Sequence, residues 1–247
     1  YTRTGDITAK GTSIIEVGGT ENYGFVVNNL ATSSVFSGKT DDLEYSINKE
    51  LHGRGINEGI INVTGTGTIN GTTVTGASIG FVMMKGGNSQ NSGTINIKDP
   101  TTAITVPQGA IGFYGEQDKF TNTGTIQILS SSGTVNKENK AVVLNGINDA
   151  NKIVFENNGN IYVNAYENGN TNLDGKGNIG VYAQGNYTFN HNTGSKMKVG
   201  SNATGFYVTD VATGPKKGEI NILSSVELAD SSNGTTIGFY SDGNANV

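Results

Sequence analysis

Residues 110–129 read "AIGFYGEQDKFTNTGTIQIL", and this stretch holds two short patterns that return along the chain. One is the Ile-Gly-Phe-Tyr block at 111–114; the other is the Gly-Thr-Ile-Gln-Ile block at 124–128. Aligning the glycine that opens the second block gives Gly5 (GDITA), Gly59 (GIINV), Gly93 (GTINI), Gly124 (GTIQI), Gly159 (GNIYV) and Gly218 (GEINI), with a slipped copy at Gly194 (GSKMKV). From Gly59 onward the copies are 34, 31, 35, 35 and 24 residues apart. A period of that length marks a repeat architecture.

The first block keeps step with the second. It recurs at Gly24 (YGFVV), Gly80 (IGFVM), Gly112 (IGFY), Gly180 (IGVY), Gly205 (TGFY) and Gly238 (IGFY), with a degenerate copy at Val142 (AVVL). A third apolar segment often lies between them, as in Ile14-Ile15-Glu16-Val17 and "AITVP" at 103–107. Both blocks alternate with period two, the pattern of a strand with one buried face. Helical spacing is missing from these segments, and Gly, Asn, Asp and Ser separate them. Three short strands per period, stacked rung on rung, predict an all-β chain: a single-stranded, right-handed parallel β-helix of about seven coils forming one domain over 1–247. At roughly 4.8 Å per coil the rod section is on the order of 34 Å long. The handedness follows from the crossover rule.

In such a rod the inward residues stack on their counterparts. Ile61, Ile95, Ile126, Ile161 and Ile220 form one expected ladder; Val63, Ile97, Ile128, Val163 and Ile222 form another. Burying each side chain stabilises the rod by roughly 1.5–3 kcal/mol. With Ile111 and Phe113 inward, Tyr114 faces outward and shares a column with Tyr182, Tyr207 and Tyr240, the other coils placing Leu144, Val82 and Val26 there. Such a column either stacks on itself and stiffens the rod or offers aromatic surface to a sugar or a protein.

Two irregularities interrupt the repeat. Gly59 stands 35 residues after Gly24, which places an insertion at 28–53 after the first coil. Within it "TDDLEYSINKELHG" predicts one short helix: Thr40 caps it, Asp41 and Asp42 fill the first turn, Leu43, Ile47 and Leu51 repeat every four residues, and Gly53 ends it. The helix either lies flat on the rod or protrudes for contact, in which case Asp41, Asp42, Glu44, Tyr45, Lys49, His52 and Arg54 are the contact candidates. The second irregularity is the short spacing after Gly194, which predicts that coil 6 has lost a middle strand.

Composition narrows the chemistry. Glycine supplies 37 of 247 residues and proline only 3, which fits many tight turns. There is no cysteine, so neither disulfides nor thiolate sites are available. A net charge of -5 offers no basic stripe for nucleic acid. No run of eighteen apolar residues predicts a membrane-spanning helix. The chain opens on Tyr1 and stops in "SDGNANV", as expected of an excised or processed piece.

Catalytic motifs do not assemble. Gly175, Gly177 and Gly180 match a dinucleotide fingerprint in spacing only, because a strand-like segment follows where a helix must. His52 and His191 are far apart, His191 in a polar turn expected to be solvent-exposed, and no Gly-x-Ser-x-Gly elbow positions a serine. Outward positions of the Ile-rich strands hold Asn62, Asn96, Gln127, Tyr162, Lys198 and Asn221, which includes no carboxylate pair of the kind glycosidic cleavage needs. The expectation is a protein that is not an enzyme and has no cofactor; structural calcium in a loop such as 172–178 stays open.

The Asn-x-Gly turns ahead of the Ile-rich blocks ("NSGTINI", "TNTGTIQI", "ENNGNIYV"), alternating with Ile-Gly-Phe-Tyr or Ile-Gly-Val-Tyr, resemble the passenger repeats of large type V autotransporters, most of all the outer-membrane autotransporter adhesins of fusobacteria. The resemblance covers nearly all of the chain outside roughly residues 28–53. It implies a rod on the bacterial surface, or secreted, carried by a C-terminal β-barrel outside this sequence and serving attachment to a protein or glycan receptor on host cells or other bacteria; the chain is expected to be monomeric. It carries over no catalytic residue.

Overall fold

The computed structural model describes residues 7–18, 22–28, 54–64, 68–70, 73–75, 78–85, 88–98, 109–129, 138–146, 152–165, 176–209, 217–229 and 234–242. The predicted helix and most of the 28–53 insertion lie outside these residues; no helix occurs among the described ones.

Each coil places three strands in the same order. Coil 1 is β1 (Ile7–Ala9), β2 (Ile14–Val17) and β3 (Tyr23–Asn28). Coil 2 is β4 (Gly55–Asn57) and β5 (Ile60–Val63), then a small antiparallel hairpin of β6 (Thr68–Asn70) and β7 (Thr73–Thr75), then β8 (Ile79–Lys85). Coil 3 is β9 (Asn88–Asn91), β10 (Thr94–Lys98) and β11 (Ile111–Gly115); coil 4 is β12 (Asp118–Asn122), β13 (Thr125–Leu129) and β14 (Lys140–Gly146). Coil 5 is β15 (Ile153–Asn157), β16 (Asn160–Val163) and β17 (Asn178–Gly185); coil 6 is β18 (Tyr187–His191), β19 (Lys196–Val199) and β20 (Ala203–Thr209); coil 7 is β21 (Glu219–Ile222), β22 (Val226–Leu228) and β23 (Ile237–Asp242). First strands pair with first strands, second with second and third with third, giving three parallel seven-stranded sheets, here called A, B and C. This is a parallel β-helix of seven coils.

Register corrects the sequence alignment at both ends. Ile7–Ala9 of the GDITA copy and the GEINI copy lie in sheet A, where Ile220 pairs with Phe189 and Ile222 with His191. The sheet B ladders are therefore Ile15, Ile61, Ile95, Ile126, Ile161, Met197 and Val226, beside Val17, Val63, Ile97, Ile128, Val163, Val199 and Leu228. Coil 6 has lost no strand; β19 simply reaches β20 through three residues, 200–202.

The A-to-B turn explains its glycine. A Cβ on Gly124 would lie 1.9 Å from the Gly93 carbonyl oxygen of the coil below, so no other residue fits at this position. The other glycine column marks a bend in sheet C. Pairing runs from Ile111–Lys140 to Phe113–Val142 and skips Gly112, whose Cβ would meet the Ala141 carbonyl oxygen at 2.6 Å. After the bend Phe113 enters the core, while Ile111 and Tyr114 share the outer side. The expectation that Ile111 points inward is thus corrected, and Val143, not Leu144, occupies the tyrosine column.

The core closes by matching sizes across sheets. Sheet C contributes Phe81 and Phe113 where sheet A has Gly55 and Ser89; one coil later sheet A contributes Phe120 and Phe155 where sheet C has Val142 and Val181, and in coil 6 both sheets supply a phenylalanine, Phe189 edge-on to Phe206. The two sets interlock, with Phe113 and Phe120 ring centroids 4.0 Å apart.

Candidate functional site

The outer face of sheet C gathers most of the described sequence-predicted contact residues. Its tyrosine column runs Val26, Val82, Tyr114, Val143, Tyr182, Tyr207 and Tyr240 from coil 1 to coil 7. The column changes character along the rod. Tyr114 is 1% exposed and packs with Ile79, Val82, Met84, Ile111 and Val143 in a second apolar cluster, so it is not the outward contact residue expected of it. Tyr182 and Tyr207 are half-buried and Tyr240 is 43% exposed. Tyr182 stacks on Tyr207 at 5.5 Å, and Tyr207 meets Tyr240 at 4.9 Å with the rings tilted by 30°.

Two residues beyond each tyrosine position stands a polar column that the sequence analysis missed. Its members are Glu116, Asn145, Gln184, Thr209 and Asp242. The offset was visible in "YGE", "VLN", "YAQ", "YVT" and "YSD", had the third position of each block been aligned. Gln184 donates to Asn145 Oδ1 (2.7 Å), Asn145 donates to the Tyr114 hydroxyl (2.8 Å), and Tyr114 donates to Glu116 Oε1 (2.9 Å). Burial pushes the Glu116 carboxyl up to about 7, against the hydrogen bond from Tyr114, which lowers it. Tyr114 is held well above the ordinary phenol value by burial and by the Glu116 charge. At the other end, burial and then the Asp242 carboxylate raise the Tyr207 phenol, and Tyr182 is raised by burial, Tyr207 and Asp242. Glu116 and Asp242 sit four coils apart, on the order of 19 Å, which is too far for paired-carboxylate chemistry.

Lys140 replaces an aliphatic residue in the adjoining column, between Ile111 and Ile179. Its Nζ donates to the Glu138 carbonyl (3.0 Å) and lies 5.5 Å from the centre of the Tyr182 ring. Burial lowers its pKa, with Glu138 acting in the other direction.

Of the insertion candidates, Asp41, Asp42, Glu44, Tyr45, Lys49 and His52 lie outside the described residues. Arg54 is half-buried beside β4, and its carbonyl accepts from the Ile7 N–H (2.9 Å), tying coil 2 to coil 1.

His191 corrects a second expectation. It is fully buried, facing inward from the A-to-B turn of coil 6. Ser195 Oγ lies 2.9 Å from its Nδ1, the spacing of a nucleophile and base, yet Nδ1 also accepts from Asn157 Nδ2 (3.0 Å) and Nε2 faces the Ser225 carbonyl (3.3 Å). Both ring nitrogens are engaged inside the rod, so the pair has no path to a substrate. Among the described residues no cluster of His, Asp and Glu could hold a metal ion. No protein-family model, no curated protein and no solved structure matches the chain.

Proposed function

We propose that the chain is a rod segment of a bacterial cell-surface adhesin, non-enzymatic, which makes or presents contact with a protein or glycan receptor on host cells or other bacteria. The observation that carries this reading is the change along sheet C: a column sealed in coils 2–4 opens in coils 5–7 into a run of neighbouring tyrosine rings flanked by Thr209 and Asp242. Aromatic edges beside polar side chains suit a receptor that offers both apolar surface and hydrogen bonds. The repeats resembling autotransporter passengers support the surface location, with anchoring through a C-terminal β-barrel outside this sequence.

A second reading has its own support. Tyr182 and Tyr207 cover each other's faces and Tyr240 leans on Tyr207, which favours a stalk that presents a binding tip elsewhere in a longer parent. The purified chain in a glycan-array and cell-binding screen separates the two. Attachment by the wild type, lost in a Tyr182→Ser/Tyr207→Ser/Tyr240→Ser variant that keeps its β-sheet spectrum, supports the sheet C contact. Attachment that survives those changes but disappears on deletion of residues 31–52 moves the contact to the insertion. No attachment by the wild type sinks the adhesive reading in favour of the stalk, and polysaccharide turnover by it would overturn the non-enzymatic assignment.

A further inference from the structure

At the A-to-B turn an amide ladder runs through the rod. Asn57 Nδ2 donates to Asn91 Oδ1 (2.8 Å), Asn91 to Asn122 (2.7 Å), Asn122 to Asn157 (2.8 Å), and Asn157 to His191 Nδ1 (3.0 Å). All five side chains are fully buried. The polarity is fixed at Asn57, whose Oδ1 accepts from the Gly59 N–H, a donor that cannot be reversed. Every amide nitrogen therefore points toward coil 6, and His191 must receive the last one on an unprotonated Nδ1. Its proton sits on Nε2, directed at the Ser225 carbonyl of coil 7.

The turn changes where the ladder changes. In coils 2–5 two residues separate the ladder asparagine from the sheet B strand, as in Asn158-Gly159; in coil 6 four do, Asn192 to Ser195. The extra length brings Ser195 Oγ to 2.9 Å from the same Nδ1, and that hydroxyl is 2.6 Å from the Asn192 carbonyl. Nδ1 thus has two partners, one in coil 5 and one in its own coil.

We infer that His191 is an acid-sensitive joint between coils 5 and 6. Neutral, it accepts from Asn157 and couples the coils. Protonated, Nδ1–H can only donate, so it turns to Ser195 Oγ while Ser195 donates to the Asn192 carbonyl, and Asn157 loses its acceptor. One proton exchanges a bond between coils for a bond within one. Among the described residues no charged side chain faces the ring: Glu156 and Glu219 of the neighbouring strands, and Lys196 and Lys198 of β19, point outward. Burial lowers the His191 pKa, against the Ser225 carbonyl, as expected for a ring built to be neutral here.

Amide hydrogen exchange on the intact chain tests the joint. Between pH 7.5 and pH 5.0, protection factors in 187–199 and 219–228 should fall, by up to about tenfold for each unit by which the folded pKa lies below the unfolded one, while 118–129 hold. His191→Asn, which extends the ladder residue, should keep protection high at both pH values. A wild type flat across that range, or the same acid loss in His191→Asn, overturns the inference. Should that variant not fold, imidazole ¹⁵N shifts of the wild type decide: an Nε2–H tautomer at pH 7.5 is expected, and an Nδ1–H tautomer is fatal to the mechanism.

Discussion

Phe155 and Phe189 stack inside the rod at 5.4 Å and 14°; Tyr182 and Tyr207 stack outside it at 5.5 Å and 16°. The near identity of the two pairs comes from the rung spacing of about 4.8 Å, which brings rings in one column within stacking distance of each other. Ring stacking is therefore a property of the solenoid and carries no functional meaning alone. What separates the pairs is surroundings. The phenylalanines are closed in by both neighbouring sheets, whereas the tyrosines keep edges and hydroxyls toward solvent and toward Asp242.

Truncations at the two sites should expose that difference. Phe155→Ala empties a fully buried volume next to Phe113, Phe120 and Phe189, and an expected loss of about 3–5 kcal/mol should appear in urea unfolding. A loss under 1 kcal/mol there would mean that the core relaxes around the hole and that inside and outside ladders are energetically alike.

Glu116 probes the buried stretch of the outer column. A carboxyl whose folded pKa is about 7 binds its proton more tightly folded than unfolded, so its favourable contribution is complete at low pH and fades as pH rises from about 4.5 to about 7. Glu116→Gln keeps an acceptor for Tyr114 and does not titrate. It should match the wild type near pH 4 and exceed it by up to about 3 kcal/mol at pH 8. Identical pH profiles for the two proteins between pH 4.5 and 7 would show that Glu116 is solvated. His191 has the opposite sign, since its depressed pKa adds stability as pH rises, so the two effects are separable by variant.

The smallest effect belongs to the exposed ladder. Tyr207→Ala removes two ring contacts at the surface and should cost about 1 kcal/mol in the same unfolding measurement. A cost equal to that of Phe155→Ala would place the tyrosines among the structural core and weaken the case for a contact face.

The repeat was legible because each coil must bury the same columns. Ile95, Ile126 and Ile161 alternate with polar residues, and Gly93, Gly124 and Gly159 occupy a stack with no room for a Cβ, so periodicity and composition both survive in the sequence. The end copies misled for a related reason. Sheets A and B both bury alternate residues and flank one tight turn, so "GEINI" fits either, and only its pairing with Thr188–His191 assigns it to sheet A. The candidate site was half legible: the tyrosine column could be aligned, but its change from sealed to open could not, because exposure depends on what packs over each coil.

By itself the sequence determined the solenoid, its seven coils and the glycine and isoleucine columns, since a repeated backbone demands a repeated side chain wherever neighbouring coils touch. The tertiary structure alone decided how unequal columns fit together, Gly55 against Phe81 and Phe120 beside Phe113, because that fit joins residues of different sheets at no fixed sequence spacing. It also decided the states of Glu116 and His191. The Glu116 proton answers chiefly to burial, and the His191 proton to burial and to partners in the coils on either side; neither burial nor those partners are written in the local sequence.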